Sequence, residues 1–188
     1  MTEEKKMLSG KVYNAVDPKL IRDLNIVKDR LHQYNLIPPT HLEERDKLIR
    51  QILGKTGKKV FVNQPFYCDY GRHIEVGDGF FSNFNLVILD EAMVRIGKDC
   101  FIGPNVGIYT ACHSTDPLER NSRREWALPV TIGDNCWIGG NVTILPGVTI
   151  GDNVTIGAGS VVVKDIPSNC VAVGNPCKKI KDLKITAE

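Results

Sequence analysis

The sequence predicts a mainly β fold, a coil of short strands, on three observations that share one register. The segments I-G-D-N-C-W, I-G-G-N-V-T, I-L-P-G-V-T, I-G-D-N-V-T and I-G-A-G-S-V follow one another without interruption, led by Ile132, Ile138, Ile144, Ile150 and Ile156, with Val162 next. The same register stands upstream in I-G-K-D-C-F and I-G-P-N-V-G, led by Ile96 and Ile102, with Ile108 following. Four positions after each lead comes a small or β-branched residue: Cys100, Val106, Cys136, Val142, Val148, Val154 or Ser160.

A period of six matches neither the 3.6 of a helix nor the alternation of a plain strand. If each group of six makes one flat side and three sides close a turn, residues 18 apart stack, placing Ile132 on Ile150, Ile138 on Ile156 and Ile144 on Val162. The interior then holds aliphatic columns, and Gly, Asn and Asp after the leads supply the corner conformations that β-branched residues avoid. Each turn buries its interior only against the next, the logic of a solenoid. An antiparallel sandwich also alternates, but it predicts no fixed six-residue register. A weaker register at Val76, Ser82 and Ile88 slips by two residues before Ile96, which predicts a distorted coil there.

Residues 1–56 have a different texture. Leu20, Leu24, Val27 and Leu31 are spaced by four, three and four, and Asp17 before Pro18 reads as an N-cap with proline in the first turn, predicting a helix over 17–34. Pro38 and Pro39 break the chain, and a second helix is expected from Thr40 to Leu53, ended by Gly54. The division is thus a helical segment over 1–56, a β-helix over 57–177 and a polar tail over 178–188.

Lys and Arg number 24 against 22 Asp and Glu, and the net charge of +2 provides no broad field for nucleic acid or membrane. No stretch approaches the roughly 18 apolar residues of a membrane span, and the first twenty residues hold no apolar core of a signal peptide, so a cytoplasmic protein is expected. Cysteines at 68, 100, 112, 136, 170 and 177 show no metal or disulfide spacing and are expected as reduced thiols, with Cys100 and Cys136, in small-residue slots of the repeat, as packing residues.

One interruption breaks the repeat. Between Ile108 and Ile132 stands Y-T-A-C-H-S-T-D-P-L-E-R-N-S-R-R-E-W-A-L-P-V-T, a polar protruding loop of about 109–129 that is either functional or a tolerated surface excursion. His113 at its start is, on residue type alone, either a base or a satisfied polar loop residue; Glu125 at its far end is either its carboxylate partner or a solvated charge.

The segment I-Y-T-A-C-H-S-T-D-P-L-E-R-N-S, with P-V-T-I-G-D-N-C-W-I-G-G, V-G-N-P-C, C-D-Y-G and N-F-N, resembles the maltose and galactoside O-acetyltransferases of the hexapeptide-repeat class, closest to the maltose branch. The resemblance runs over nearly the whole chain, helices included. It implies a left-handed parallel β-helix, acetyl-coenzyme A as co-substrate, no metal, a small sugar-like acceptor and a homotrimer that binds coenzyme A in grooves between neighbouring subunits.

By the same resemblance His113 is the general base, Glu125 its orienting carboxylate, Asn83 a transition-state stabiliser that also lies at the acceptor, and Gly140 the amide at the thioester oxygen. Asp17, Asp69 and Glu91 match acceptor-binding positions, the last where aspartate is commoner. Ala158, Val163, Lys164, Lys178 and Lys181 match coenzyme A contacts, the final two where relatives often carry arginine. Leu24 departs from the pattern, since both branches resemble each other in an arginine there; Arg22 lies one turn away. Other readings are an acetyltransferase for an antibiotic or serine, a non-catalytic scaffold, and a zinc lyase resembling the γ-type carbonic anhydrases. The last is disfavoured because only His73 and His113, of four histidines, fall in the repeat region.

Overall fold

In the computed structural model, which describes residues 1–184, the chain winds as a parallel β-helix of triangular section. Face one stacks Lys55–Thr56, Ile74–Val76, Val94–Ile96, Val130–Ile132 and Thr149–Ile150. Face two stacks Val60–Val62, Phe80–Ser82, Phe101–Ile102, Trp137–Ile138, Val154–Ile156 and Cys170–Val173, and face three Phe66–Cys68, Leu86–Leu89, Gly107–Tyr109, Thr143–Ile144 and Val161–Val162. The chain visits the faces in that order and turns one corner between each.

The expected columns form. Ile132 pairs with Ile150, Ile138 with Ile156 and Ile144 with Val162, all essentially inaccessible to water. Burial of each such side chain stabilises by about 1.5–3 kcal/mol. The corners explain the residues after the leads. Asn85, Asn105, Asn135, Asn141, Asn153 and Asn169 all have positive φ, a region asparagine tolerates better than most residues. Their amides also stack: Asn135 donates to Asn153 at 3.2 Å and Asn153 to Asn169 at 2.8 Å. Glycine is required where coils approach most closely; a Cβ on Gly133 would stand 2.3 Å from Asp152 Oδ1.

The upstream coils keep their columns, contrary to the expected distortion. Val76 lies on Ile96, Ser82 on Ile102 and Ile88 on Ile108, each pair 20 apart. The two extra residues are absorbed at one corner, between faces three and one, because shifting the strands themselves would turn every inward side chain outward.

Helix α1 spans Glu3–Leu8, α2 Pro18–Leu36 and α3 Leu42–Ile52. Asp17 caps α2 by accepting from the N–H of Lys19 at 2.9 Å and of Leu20 at 3.3 Å. Helix α2 continues two residues past the predicted end and stops at Ile37, before the proline pair. Helix α3 starts after the predicted Thr40, which lies in a turn. Helix α1, with one buried residue, Met7, is too short to show a period. Tyr34, Leu31 and Val27 of α2, with Ile49 and Ile52 of α3, join the coil interior and plug its first turn. Tyr34 Oη donates to Val62 O at 2.7 Å, and Asn35 bonds both the N–H and the C=O of Phe66.

The polar tail needs correction. Lys178–Asp182 is a strand, antiparallel to Cys170–Val173 on face two. All five residues are exposed, so no alternation marked it; backbone pairing alone makes it a strand. Residues 185–188 of that tail lie outside the described residues. The protruding loop is also ordered: Ala111–His113 and Arg124–Ala127 form a hairpin with a short helix, α4 (Pro117–Asn121), at its tip.

Candidate active site

The hairpin leaves the β-helix at the corner between faces three and one. Its register places His113 opposite Glu125, and Tyr13 of the N-terminal strand Tyr13–Asn14 pairs with Glu125 from the other side. Directly opposed residues project to the same face of a sheet. His113 Nδ1 lies 3.4 Å from Glu125 Oε2, while Tyr13 Oη donates to Glu125 Oε1. The imidazole is 55% exposed and the carboxylate 12%, so Glu125 is no solvated loop charge. A cavity of about 510 Å³ opens beside them, lined by Ala15, Val16, His113, Arg120, Arg123 and Glu125 among others. One imidazole nitrogen is thus turned to a carboxylate and the ring edge is open, an arrangement suited to general base chemistry.

The same corner carries the acids. Asp90, fully buried, accepts from the N–H groups of Asp69 at 3.0 Å, Tyr70 at 2.8 Å and His73 at 3.3 Å. It thereby holds the enlarged corner of the coil above. Burial pushes its carboxyl up to about 7, against the pull of those donors. Thr110 repeats the device one coil on: its hydroxyl accepts from Ala92 N at 2.9 Å and donates to Leu89 O at 2.8 Å. Glu91 is also buried, and that burial, followed by hydrogen bonding and repulsion from Asp69, pushes it up to about 9. Asp69 and Glu91, predicted as acceptor ligands, therefore meet. Asp69 also lines a second cavity, of about 650 Å³, between α2 and face three. Asp17 caps α2, as its sequence position predicts.

The remaining predicted residues lie elsewhere. Asn83 sits at the corner between faces two and three, its side chain accepting from Phe84 N at 2.8 Å. Down that corner Phe84, Pro104, Gly140 and Ala158 stack through successive backbone bonds. Lys178, opposite Val173, continues the line at the last coil, with Lys181 on the same strand. Val163 and Lys164 follow Val162 at the hairpin's own corner. His113 and Gly140 therefore belong to different edges of face three.

Sequence reasoning missed Tyr13, Asp90 and Thr110. The two-residue slip before Ile96 marked the place of Asp90; nothing local singles out Tyr13, whose partner lies 112 residues away.

Three family models match the chain: the maltose acetyltransferase hexapeptide capping motif over residues 6–57, the hexapeptide repeat of succinyl-transferase over 93–111, and the bacterial transferase hexapeptide of six repeats over 129–164. The crystal structure of a maltose O-acetyltransferase from Clostridium difficile 630 is 50% identical, with 98% of this chain and 99% of that one covered at a TM-score of 0.97. The chain belongs to the maltose and galactoside O-acetyltransferase family. It is an acetyl-coenzyme A-dependent O-acetyltransferase, and its β-helix is left-handed as in that family. A galactoside acetyltransferase in complex with coenzyme A is 38% identical at a TM-score of 0.95, covering 98% of this chain and 92% of that one. A hexapeptide-repeat acetyltransferase of Vibrio cholerae complexed with acetyl coenzyme A is 36% identical at 0.91, covering 98% and 100%.

For a member of this O-acetyltransferase family the departures of the chain have a structural setting. Leu24, where an arginine was expected, is partly buried against Met7, Tyr13, Leu20 and Tyr70, so it packs the underside of α2. Arg22, the suggested substitute, is exposed. Among the described residues no group of three or more His, Cys, Asp or Glu side chains is arranged to hold a metal, and no helix is long and apolar enough to cross a membrane.

Proposed function

We propose that the enzyme transfers the acetyl group of acetyl-coenzyme A to a hydroxyl of a sugar or sugar-like acceptor, with His113 as general base. The observation that carries this reading is the His113–Glu125 pair at the mouth of the cavity. With Nδ1 turned to Glu125, Nε2 of the neutral ring accepts the acceptor's proton as its oxygen attacks the thioester carbon. Glu125 steadies the imidazolium that results. The Gly140 amide meets the tetrahedral oxyanion, while Asn83, two coils up the same corner, stabilises the transition state at the acceptor. Collapse expels the thiolate, which takes the proton from His113. Asp17, Asp69 and Glu91 accept hydrogen bonds from the acceptor's other hydroxyls. Ala158, Val163, Lys164, Lys178 and Lys181 hold coenzyme A.

This reading requires more than one subunit. His113 and the Gly140 line stand at opposite edges of face three, a full side of the coil apart, whereas reacting atoms must approach to about 3–3.5 Å. A neighbour packed alongside brings its hairpin to this chain's Gly140 corner, and a head-to-tail contact of that kind closes into a ring, here a homotrimer. Phe61, Phe81, Phe101 and Trp137 form an outward row on face two beside that corner, with Phe101 53% and Trp137 59% exposed, a surface suited to such a neighbour. Six free cysteines accord with a reducing, cytoplasmic setting.

His113→Ala should lower kcat by roughly 10²–10⁴-fold with small changes in KM, and wild-type turnover should rise with pH through the histidine titration. Thiol release by wild type and variant at saturating substrates, with circular dichroism as a folding control, tests this; near-wild-type turnover in the folded variant would place the base elsewhere. The acceptor is tested by the same assay across sugars, aminoglycosides and serine. A stable, active monomer in light scattering would remove the trimer.

A further inference from the structure

The third strand of the hairpin's sheet comes from the N-terminal segment of the chain, and its first residue touches the pair that the proposed mechanism uses. We propose that Tyr13 is a positioning residue, whose hydroxyl fixes Glu125 so that the second carboxylate oxygen faces His113. The inference rests on the functional reading above and extends it to the N-terminal segment.

Tyr13, Glu125 and His113 stand in one row across three antiparallel strands, in register on both sides of Glu125. The carboxylate is therefore approached by the phenol at Oε1 and by the imidazole at Oε2. The phenol cannot drift. Tyr13 is 2% exposed, packed with Met7, Leu20 and Tyr70, and its strand is tied to the hairpin by Ala15 N donating to Arg123 O at 3.2 Å. Asn14 N in turn donates to Glu3 Oε2 at 2.6 Å, so α1 braces the strand from behind.

The choice of a phenol has a chemical reason. A buried carboxylate must be hydrogen-bonded, and a lysine or arginine in this place would compete with the imidazolium for its charge. A tyrosine hydroxyl donates without adding charge. Burial, then the Glu125 carboxylate, raises its pKa well beyond the ordinary tyrosine value, so it remains a donor throughout the working range. The other ionisable groups facing this row are Tyr70 and Glu91 from the coil, Cys112 on the hairpin, and Arg120 and Arg123 at the cavity.

Removing the donor leaves Glu125 more basic, and the Glu125–His113 pair then holds its proton more tightly. In Tyr13→Phe the midpoint of the His113 titration, read by NMR of the imidazole without substrates, should move up by about half a unit to one unit. The acid limb of the kcat profile should move with it. Plateau kcat should fall about 5–20-fold while both KM values stay within about twofold. In a Glu125→Gln background the same exchange should add nothing further, the mark of two residues acting through one contact. A filler role alone predicts a titration and profile superimposable on wild type, because phenylalanine keeps the ring; that result overturns the proposal, as does an undiminished effect in the Glu125→Gln background. Failure of the base assignment reads differently: His113→Ala would stay active while the NMR midpoint still responded to Tyr13→Phe.

Discussion

The upper and lower halves of the β-helix share one interior and differ at one corner. From face three to face one the chain uses eight residues between Cys68 and Val76 and between Ile88 and Ile96, then twenty-four between Ile108 and Ile132. Below, it uses six between Ile144 and Ile150 and four between Val162 and Ile166. The two other corners stay at six wherever leads can be followed, as from Ile96 to Ile102 and Ile108. Asp69, Asp90, Glu91, His113 and Glu125 all lie within the enlarged intervals. The columns fix the strands, so added chain can leave only at a corner, and placing every addition at the same corner gathers residues far apart in sequence.

The comparison predicts that damage to a plain coil and to an enlarged corner separates stability from turnover. The largest stability effect is expected from Ile138→Ala, in a column of the lower half with no measurable exposure: a loss of about 2–5 kcal/mol, with turnover per folded molecule nearly unchanged. Denaturant unfolding beside an assay of the folded fraction checks it. Asp90→Ala should lose about 2–4 kcal/mol by leaving three N–H groups without their acceptor, and should also disturb acceptor binding because Asp69 is one of them. An acceptor KM that stays at the wild-type value would separate the corner from the site.

Smaller effects sharpen the contrast between the hairpin and the cofactor line. Exchange of Lys164, Lys178 or Lys181 for Ala should raise the KM for acetyl-coenzyme A by roughly three- to tenfold and leave acceptor dependence alone, as expected of partly screened phosphate contacts. Unchanged cofactor affinity in all three variants would make them solvated charges. The last effect concerns Glu91 and is read as a dependence on pH. Its folded pKa, about 9, lies above the unfolded value near 4.5, so the native state binds the extra proton between those limits and its stability falls as pH rises through that window. Glu91→Gln removes this decline. Its melting midpoint relative to wild type should be unchanged near pH 5 and higher at pH 9, the difference growing as pH rises between those limits.

What the sequence disclosed follows from what is periodic. The columns led by Ile96, Ile102 and Ile132 to Ile156 repeat, so their stacking was legible, as was the cap at Asp17, a local pattern of residue types. His113 and Glu125 were legible only as residue types flanking an interruption; their 3.4 Å approach depends on hairpin register. The strand Lys178–Asp182 carries no alternation, and α1 no period. Tyr13 and Asp90 act through partners supplied by other turns or by the far end of the chain, information held in the winding and in no local pattern.

The strand Lys178–Asp182 has a consequence of a different kind. A coil of stacked rungs ends on a row of unpaired backbone groups, and such an end is a template on which another molecule's first rung would add, generating a filament. At the N-terminal end, α2 and α3 cover the first rung. At the other, the last rung of face two is finished by an antiparallel strand bearing Lys178, Lys179 and Lys181, whose like charges repel a second copy arriving end-on. Lysines proposed to hold a nucleotide would then also set the length of the solenoid, and making the strand apolar should turn a discrete particle into one that polymerises.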